Sequence, residues 1–144
     1  MMNRREFISR SCMACATGTI TAAILSSCSP TKYVQGSVSA DGLLISTDAF
    51  LDKQNSARQF VIAHHDSLEY PIYVFRLSDT EYRALWMKCT HQGSELQASG
   101  DHLYCPSHGS EFDSNGKVAQ GPAELNLRSF PVIINSNTLL IKLS

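Results

Sequence analysis

Two short stretches of this sequence carry soft metal ligands at regular spacing. Cys89-Thr90-His91 is a C-x-H pair, and after 13 intervening residues Cys105-Pro106-Ser107-His108 is a C-x2-H pair. Each pairs one thiol with one imidazole, and each is followed by a glycine, Gly93 or Gly109, that permits sharp backbone curvature. Two chemistries suit such a set. Tetrahedral zinc takes these ligands, but its commoner spacing groups two cysteines and then two histidines. A 2Fe-2S cluster with two thiolates on one iron and two imidazoles on the other takes one of each from two opposed loops. The spacing favours iron and sulfur.

Ligand loops need a frame, and the rest of the body reads as strands. From Gly36 onward, short apolar or alternating runs are broken by turn residues, with no long segment of helical period. The runs are 42–46, 58–65, 70–77, 81–88, 102–105, 117–119, 130–135 and 138–143. Many short strands at close spacing imply an all-β antiparallel sandwich or barrel. Asn115-Gly116 and Asn135-Ser136-Asn137 mark hairpins, and Ser99-Gly100-Asp101 marks a turn before the second ligand pair. The stretch 48–58 has room for a helical turn but reads as a loop.

The stretches "CTHQG" and "CPSHGS" resemble the two cluster-binding boxes of Rieske proteins, and "GKVAQGPAELNL" resembles the segment after the second box. The match spans Cys89 to Leu127. It implies a Rieske-type β-sandwich over 37–144, with a small two-loop cluster-binding subdomain at about 86–125. It also implies that Cys89 and Cys105 bind the buried iron of a 2Fe-2S cluster, and that His91 and His108 bind the outer one. Ser110 matches the family serine that hydrogen-bonds a bridging sulfide, and Pro122 would cover the cluster. His64, His65 and His102 fit neither box and read as polar strand residues.

The departures carry information too. Quinol-oxidising Rieske subunits have two further cysteines that crosslink the loops; Ser94 and Ser107 stand there, so that disulfide cannot form. Phe112 replaces a tyrosine whose hydroxyl reaches a cluster cysteine, and Gln92 replaces an apolar residue at the cluster tip. Neutral imidazoles raise the potential above that of a four-thiolate cluster, into a range of roughly −150 to +300 mV. Loss of the disulfide and of the tyrosine hydroxyl places this centre below the quinol-oxidising members.

The first 28 residues read as an export signal: Arg4, Arg5 and Arg10, an apolar stretch, then small residues before Cys28. Arg4-Arg5 followed by Phe7 and Ile8 resembles a twin-arginine signal, and Leu25-Ser26-Ser27-Cys28 resembles a lipobox that would lipidate Cys28. Cys12 and Cys15 have C-x-x-C spacing but fall inside this signal. Residues 29–36 read as a tether. With 12 basic and 13 acidic residues and no basic patch interleaved with aromatics, nucleic acid is excluded as a partner.

The reading is an exported, lipid-anchored one-electron carrier on the periplasmic side of a bacterial membrane. Its partners are a cytochrome or oxidoreductase subunit, and no catalysis is expected from the chain alone. The alternatives are the ferredoxin of a ring-hydroxylating oxygenase and a structural domain holding zinc. Exposed imidazole N–H groups on a ferric cluster couple electron to proton. At alkaline pH the potential is therefore expected to fall by about 59 mV per pH unit where one proton accompanies one electron. Protein-film voltammetry across pH checks this, and a flat response would remove the exposed histidines.

Overall fold

The computed structural model describes residues 31–144; the readings made on the export signal, on Cys12 and Cys15, and on Cys28 lie outside the described residues. The described part is built from strands and one short 3-10 helix, Thr47–Phe50, in three sheets. The central sheet runs β4 (Phe60–His64), β5 (Ile72–Ser78) and β6 (Glu81–Trp86), antiparallel throughout. It is flanked by β1 (Tyr33–Gln35), parallel to β4, and β11 (Ser129–Phe130), antiparallel to β6. A second sheet is antiparallel in the order β12 (Val132–Asn135), β13 (Thr138–Ile141), β3 (Gly42–Ser46), β2 (Ser37–Ser39). The third, smaller sheet is β10 (Val118–Gln120), β9 (Glu111–Asp113), β8 (His102–Tyr104), β7 (Gln97–Ser99). The all-β expectation is borne out.

The central sheet is covered on both faces, because successive side chains of a strand point to opposite sides. Val61, Ala63, Ile72, Val74 and Ala84 pack with Leu43, Ile45, Leu139 and Ile141 from the second sheet. Ile62, Tyr73, Phe75 and Leu85 pack the other way, with Leu103 and Phe112 of the small sheet and with Cys89 and Cys105. A strand buried on both faces reads as a continuous apolar run, as β4 and β5 do. Each buried Leu or Ile contributes about 1.5 to 3 kcal/mol. Two such cores hold the three sheets without any crosslink among the described residues, where Cys89 and Cys105 are free thiols.

Several local readings change. Tyr33–Gln35 lies within the stretch read as a tether, yet it pairs with β4 as β1. Strands β1, β2, β7 and β9 have three residues each, too few to show an alternation. The run 130–135 is two strands: Phe130 pairs with Ala84 and Val132 with Ile141, in different sheets. Pro131 stands at the switch, where it has no N–H to give to either ladder. The stretch 48–58 does begin with one helical turn, capped by the Ser46 hydroxyl accepting from the Asp48 N–H. The 115–116 hairpin forms with only Gly116 left-handed (φ 78°), and the Asp113 carboxylate accepts from the N–H groups of Asn115 and Lys117.

Tyr73 ties the central sheet to the small one. Its ring is fully buried between Phe60 and Phe75, and its hydroxyl donates to the Gly100 carbonyl at 2.9 Å, in the β7–β8 turn. Burial, and secondarily the Asp101 carboxylate, push this phenol well above its ordinary pKa. A raised pKa contributes stability that is complete below the unfolded value and lost as pH climbs from it toward the folded one. Tyr73→Phe should therefore cost about 1 kcal/mol in urea unfolding at neutral pH. The gap from wild type should narrow above pH of about 10; a gap that widens there would contradict a protonated, buried Tyr73.

Candidate metal centre

The two ligand loops are closed by the same backbone bonds. In the first, the Cys89 N–H donates to the Ser94 carbonyl and the Gly93 N–H to the Cys89 carbonyl, both at 2.8 Å. In the second, Cys105 N–H donates to the Ser110 carbonyl at 2.8 Å and Gly109 N–H to the Cys105 carbonyl at 3.0 Å. The necks match as well, with Lys88 bridged to Glu95 and Tyr104 paired with Glu111. Gly93 and Gly109 are left-handed, at φ 75° and 77°, a conformation costing other residues about 1 to 2 kcal/mol. A Cβ on Gly109 would meet nothing, so backbone conformation alone accounts for that glycine. The loops differ in where the histidine sits, third in one and fourth in the other.

Folding pairs the four side chains by type. Cys89 and Cys105 are buried in one core cluster. His91 and His108 are exposed, their rings edge to face with centroids 5.0 Å apart. Burial pushes the Cys105 thiol up, but the N–H groups of Ser107 and His108, the Cys89 thiol and the Ser107 hydroxyl outweigh it and hold the thiol below its ordinary pKa. Donors converging on a sulfur favour the thiolate that binds metal. Among the described residues no three His, Cys, Asp or Glu side chains gather as a site for one ion. A thiol pair inside and an imidazole pair outside suit two metal atoms better than one tetrahedral ion.

Ser110 is fully buried, and its oxygen accepts from the Ala123 N–H at 3.0 Å. The hydroxyl proton remains available to an acceptor in the site, as a bridging sulfide would be. These residues fit a 2Fe-2S cluster. Pro122 lies in an exposed loop after a cis peptide bond, beside buried Ala123. Phe112 is fully buried against the loops' core, and Gln92 is exposed beside His91. The other histidines stand apart: His64 packs on Tyr33, His65 bonds Ser67, and His102 neighbours Asp101.

Ser107 donates to Ser94 at 2.8 Å, so a hydrogen bond joins the loops at the two positions where the crosslinked relatives carry cysteines. Three further braces escaped the sequence reading. Tyr70 donates to the Gly93 carbonyl at 2.5 Å, Thr90 to the Leu125 carbonyl at 2.6 Å, and the Gln120 amide to the Gly109 carbonyl at 3.1 Å. None has a local signal, since each partner is a backbone carbonyl at least eleven residues away. An exposed hydroxyl pair is worth about 0.5 to 1.5 kcal/mol. Ser94→Ala and Ser107→Ala should each speed cluster loss to a chelator, followed as bleaching of visible absorbance. The double variant should be no faster than Ser107→Ala alone, which removes both the shared bond and the hydroxyl beside Cys105; additive rates would show that the bond does not couple the loops.

Comparison with known proteins gives matches that span this centre. The Rieske [2Fe-2S] domain family model matches residues 50–131, which takes in both loops and the central strands. The chain is 41% identical over 56 residues to the cytochrome b6-f complex iron-sulfur subunit of Prochlorococcus marinus, 38% of this chain and 32% of that protein. It is 47% identical over 53 residues to the ubiquinol-cytochrome c reductase iron-sulfur subunit of Rickettsia typhi, 35% of this chain and 30% of that protein. It thus spans about a third of the length of these curated relatives. The cyanobacterial plasma membrane Rieske protein PetC3 from Synechocystis PCC 6803 superposes with a TM-score of 0.56 at 25% identity, covering 69% of this chain and 97% of that one. With buried sulfurs, surface imidazoles and a family match across both loops, the chain belongs to the Rieske [2Fe-2S] domain family.

Proposed function

We propose that Cys89 and Cys105 hold one iron and His91 and His108 the other, and that the domain passes single electrons through the exposed imidazoles. The observation that carries this is the sorting of the ligands: both thiols lie in one buried core cluster, and the imidazoles meet at the surface. When bound, the cluster supplies a one-electron couple at intermediate potential. The protein holds the sulfurs dry, directs backbone N–H groups at Cys105 and leaves the ring edges where a partner can reach them. With four protein ligands on two irons neither metal has an open position, so the chain carries electrons and transforms no substrate itself.

The finer reading is an exported carrier tethered outside the cytoplasmic membrane through lipidated Cys28. It exchanges electrons within a respiratory complex or with a periplasmic oxidoreductase. The basic head, the apolar stretch and the Ser26-Ser27-Cys28 sequence support it. The Ser94–Ser107 bond in place of a crosslink also suits the ferredoxin of an oxygenase system, but an export signal does not. Labelling of the full chain with radioactive palmitate, lost in Cys28→Ala, tests the anchor.

Purification from native membranes, followed by EPR of the dithionite-reduced protein, tests the centre. A rhombic signal with average g below the free-electron value is expected; stoichiometric zinc without iron would sink the assignment. Ser110→Ala should lower the potential. A hydrogen bond that gains about 1 kcal/mol on reduction contributes roughly 40 mV for one electron. An unchanged potential in a redox titration would take Ser110 away from the cluster.

A further inference from the structure

An open groove of about 560 Å³ runs beside the first ligand loop, lined by Trp86, Lys88, His91, Gln92, Leu125 and Arg128 among others. Two cations in its lining lie over the Trp86 ring. Lys88 Nζ lies 4.9 Å from the Trp86 ring centroid and the Arg128 guanidinium 6.0 Å from it. Both cations are held in place: Lys88 also sits over Tyr70, and Arg128 over Phe130 while donating to the Leu143 carbonyl. Lys88 has an ion pair with Glu69 at 3.5 Å, but Glu69 is 64% exposed, and such screened pairs exchange readily for a better-placed carboxylate. At the groove's edge Leu125 is 70% exposed, its loop anchored by the Thr90 bond to the Leu125 carbonyl.

Two fixed cations beside the exposed imidazole are out of keeping with the charge of the rest. Residues 31–144 hold 9 basic and 12 acidic side chains, so the domain as a whole repels anions. A local positive field at the electron exit, with one apolar side chain at its rim, is what a transient electron-transfer contact uses to orient a partner. Resting on the electron-transfer reading, we infer that this groove docks the acidic face of a protein redox partner: its carboxylates meet Lys88 and Arg128, and a small apolar residue covers Leu125. An anionic lipid surface is the weaker occupant, because an extended anionic plane faces the negative charge of the whole domain, whereas a partner's acidic patch within a Debye length of the groove meets mainly its two cations.

The test uses the full chain with its cluster reduced by dithionite and freed of excess reductant. Stopped-flow mixing gives second-order rate constants with two one-electron oxidants of opposite charge. The reduced cluster gives one electron either to ferricyanide, forming ferrocyanide, or to tris-phenanthroline cobalt(III), forming the cobalt(II) complex. The groove predicts that the ferricyanide rate falls with added salt and the cobalt rate rises, against the sign of the net charge. Lys88→Gln and Arg128→Gln should each slow ferricyanide by about threefold or more at low salt. Trp86 is the chain's single tryptophan, so its fluorescence reads the groove without any electron transfer. Titration with a hexaglutamate peptide should change it saturably, and both variants should weaken that change. A ferricyanide rate that rises with salt overturns the proposal. So does a Trp86 signal that answers to phosphatidylglycerol vesicles and not to the peptide. Electron transfer to neither oxidant refutes the carrier reading instead, and the peptide titration then still decides the groove.

Discussion

Two sulfurs buried in one core cluster are the constraint around which the rest is arranged, because thiolates in a dry core persist only with metal and donors beside them. Backbone N–H groups from the second loop converge on Cys105, and this requires the loop to curl tightly enough to point them inward. The curl is fixed by a pair of backbone bonds per loop and by one left-handed glycine each. The same curl that turns the sulfurs in turns the imidazoles out, so burial of one ligand pair and exposure of the other are a single geometric event.

The frame follows from that need. Loops that curl on themselves bury little apolar surface, so their position comes from what lies beneath. Met87, Leu96, Leu103 and Phe112 anchor the loop stems in the core on one face of the central sheet, and the second sheet covers the opposite face. Around the rim, hydroxyl and amide donors to backbone carbonyls, together with the Ser94–Ser107 bond, do what a covalent crosslink does in related proteins. Each such bond contributes about 1 kcal/mol, so the loops rely on several together and on the metal. Beside them, the stacked cations on Trp86 give one side of the electron exit a charge opposite to that of the whole domain.

How much of this the sequence reveals depends on whether the signal is local. The candidate ligand set stands out as a pattern because metal chemistry restricts residue type and the loops are short, so Cys89, His91, Cys105 and His108 stand close in the chain. Strands β3, β6 and β8 were legible, since their apolar runs are bounded by turns. The three-residue strands β1, β2, β7 and β9 were not, because one period of alternation cannot be told from a loop.

By itself, then, the sequence determined the fold class, the family and the cofactor, each through residue type and spacing. It also determined that no disulfide joins the loops, by placing Ser94 and Ser107 where cysteines would stand. Only the tertiary structure decided that those serines meet, that Thr90 and Gln120 brace the loops, and that Trp86, Lys88 and Arg128 line one groove. Except for Trp86 and Lys88, which are near neighbours in the chain, those pairings join residues between 11 and 42 positions apart, brought together by sheet register and loop path. A sequence pattern records what each residue is suited to, whereas a contact across that distance exists only once the two cores have fixed the path of the chain.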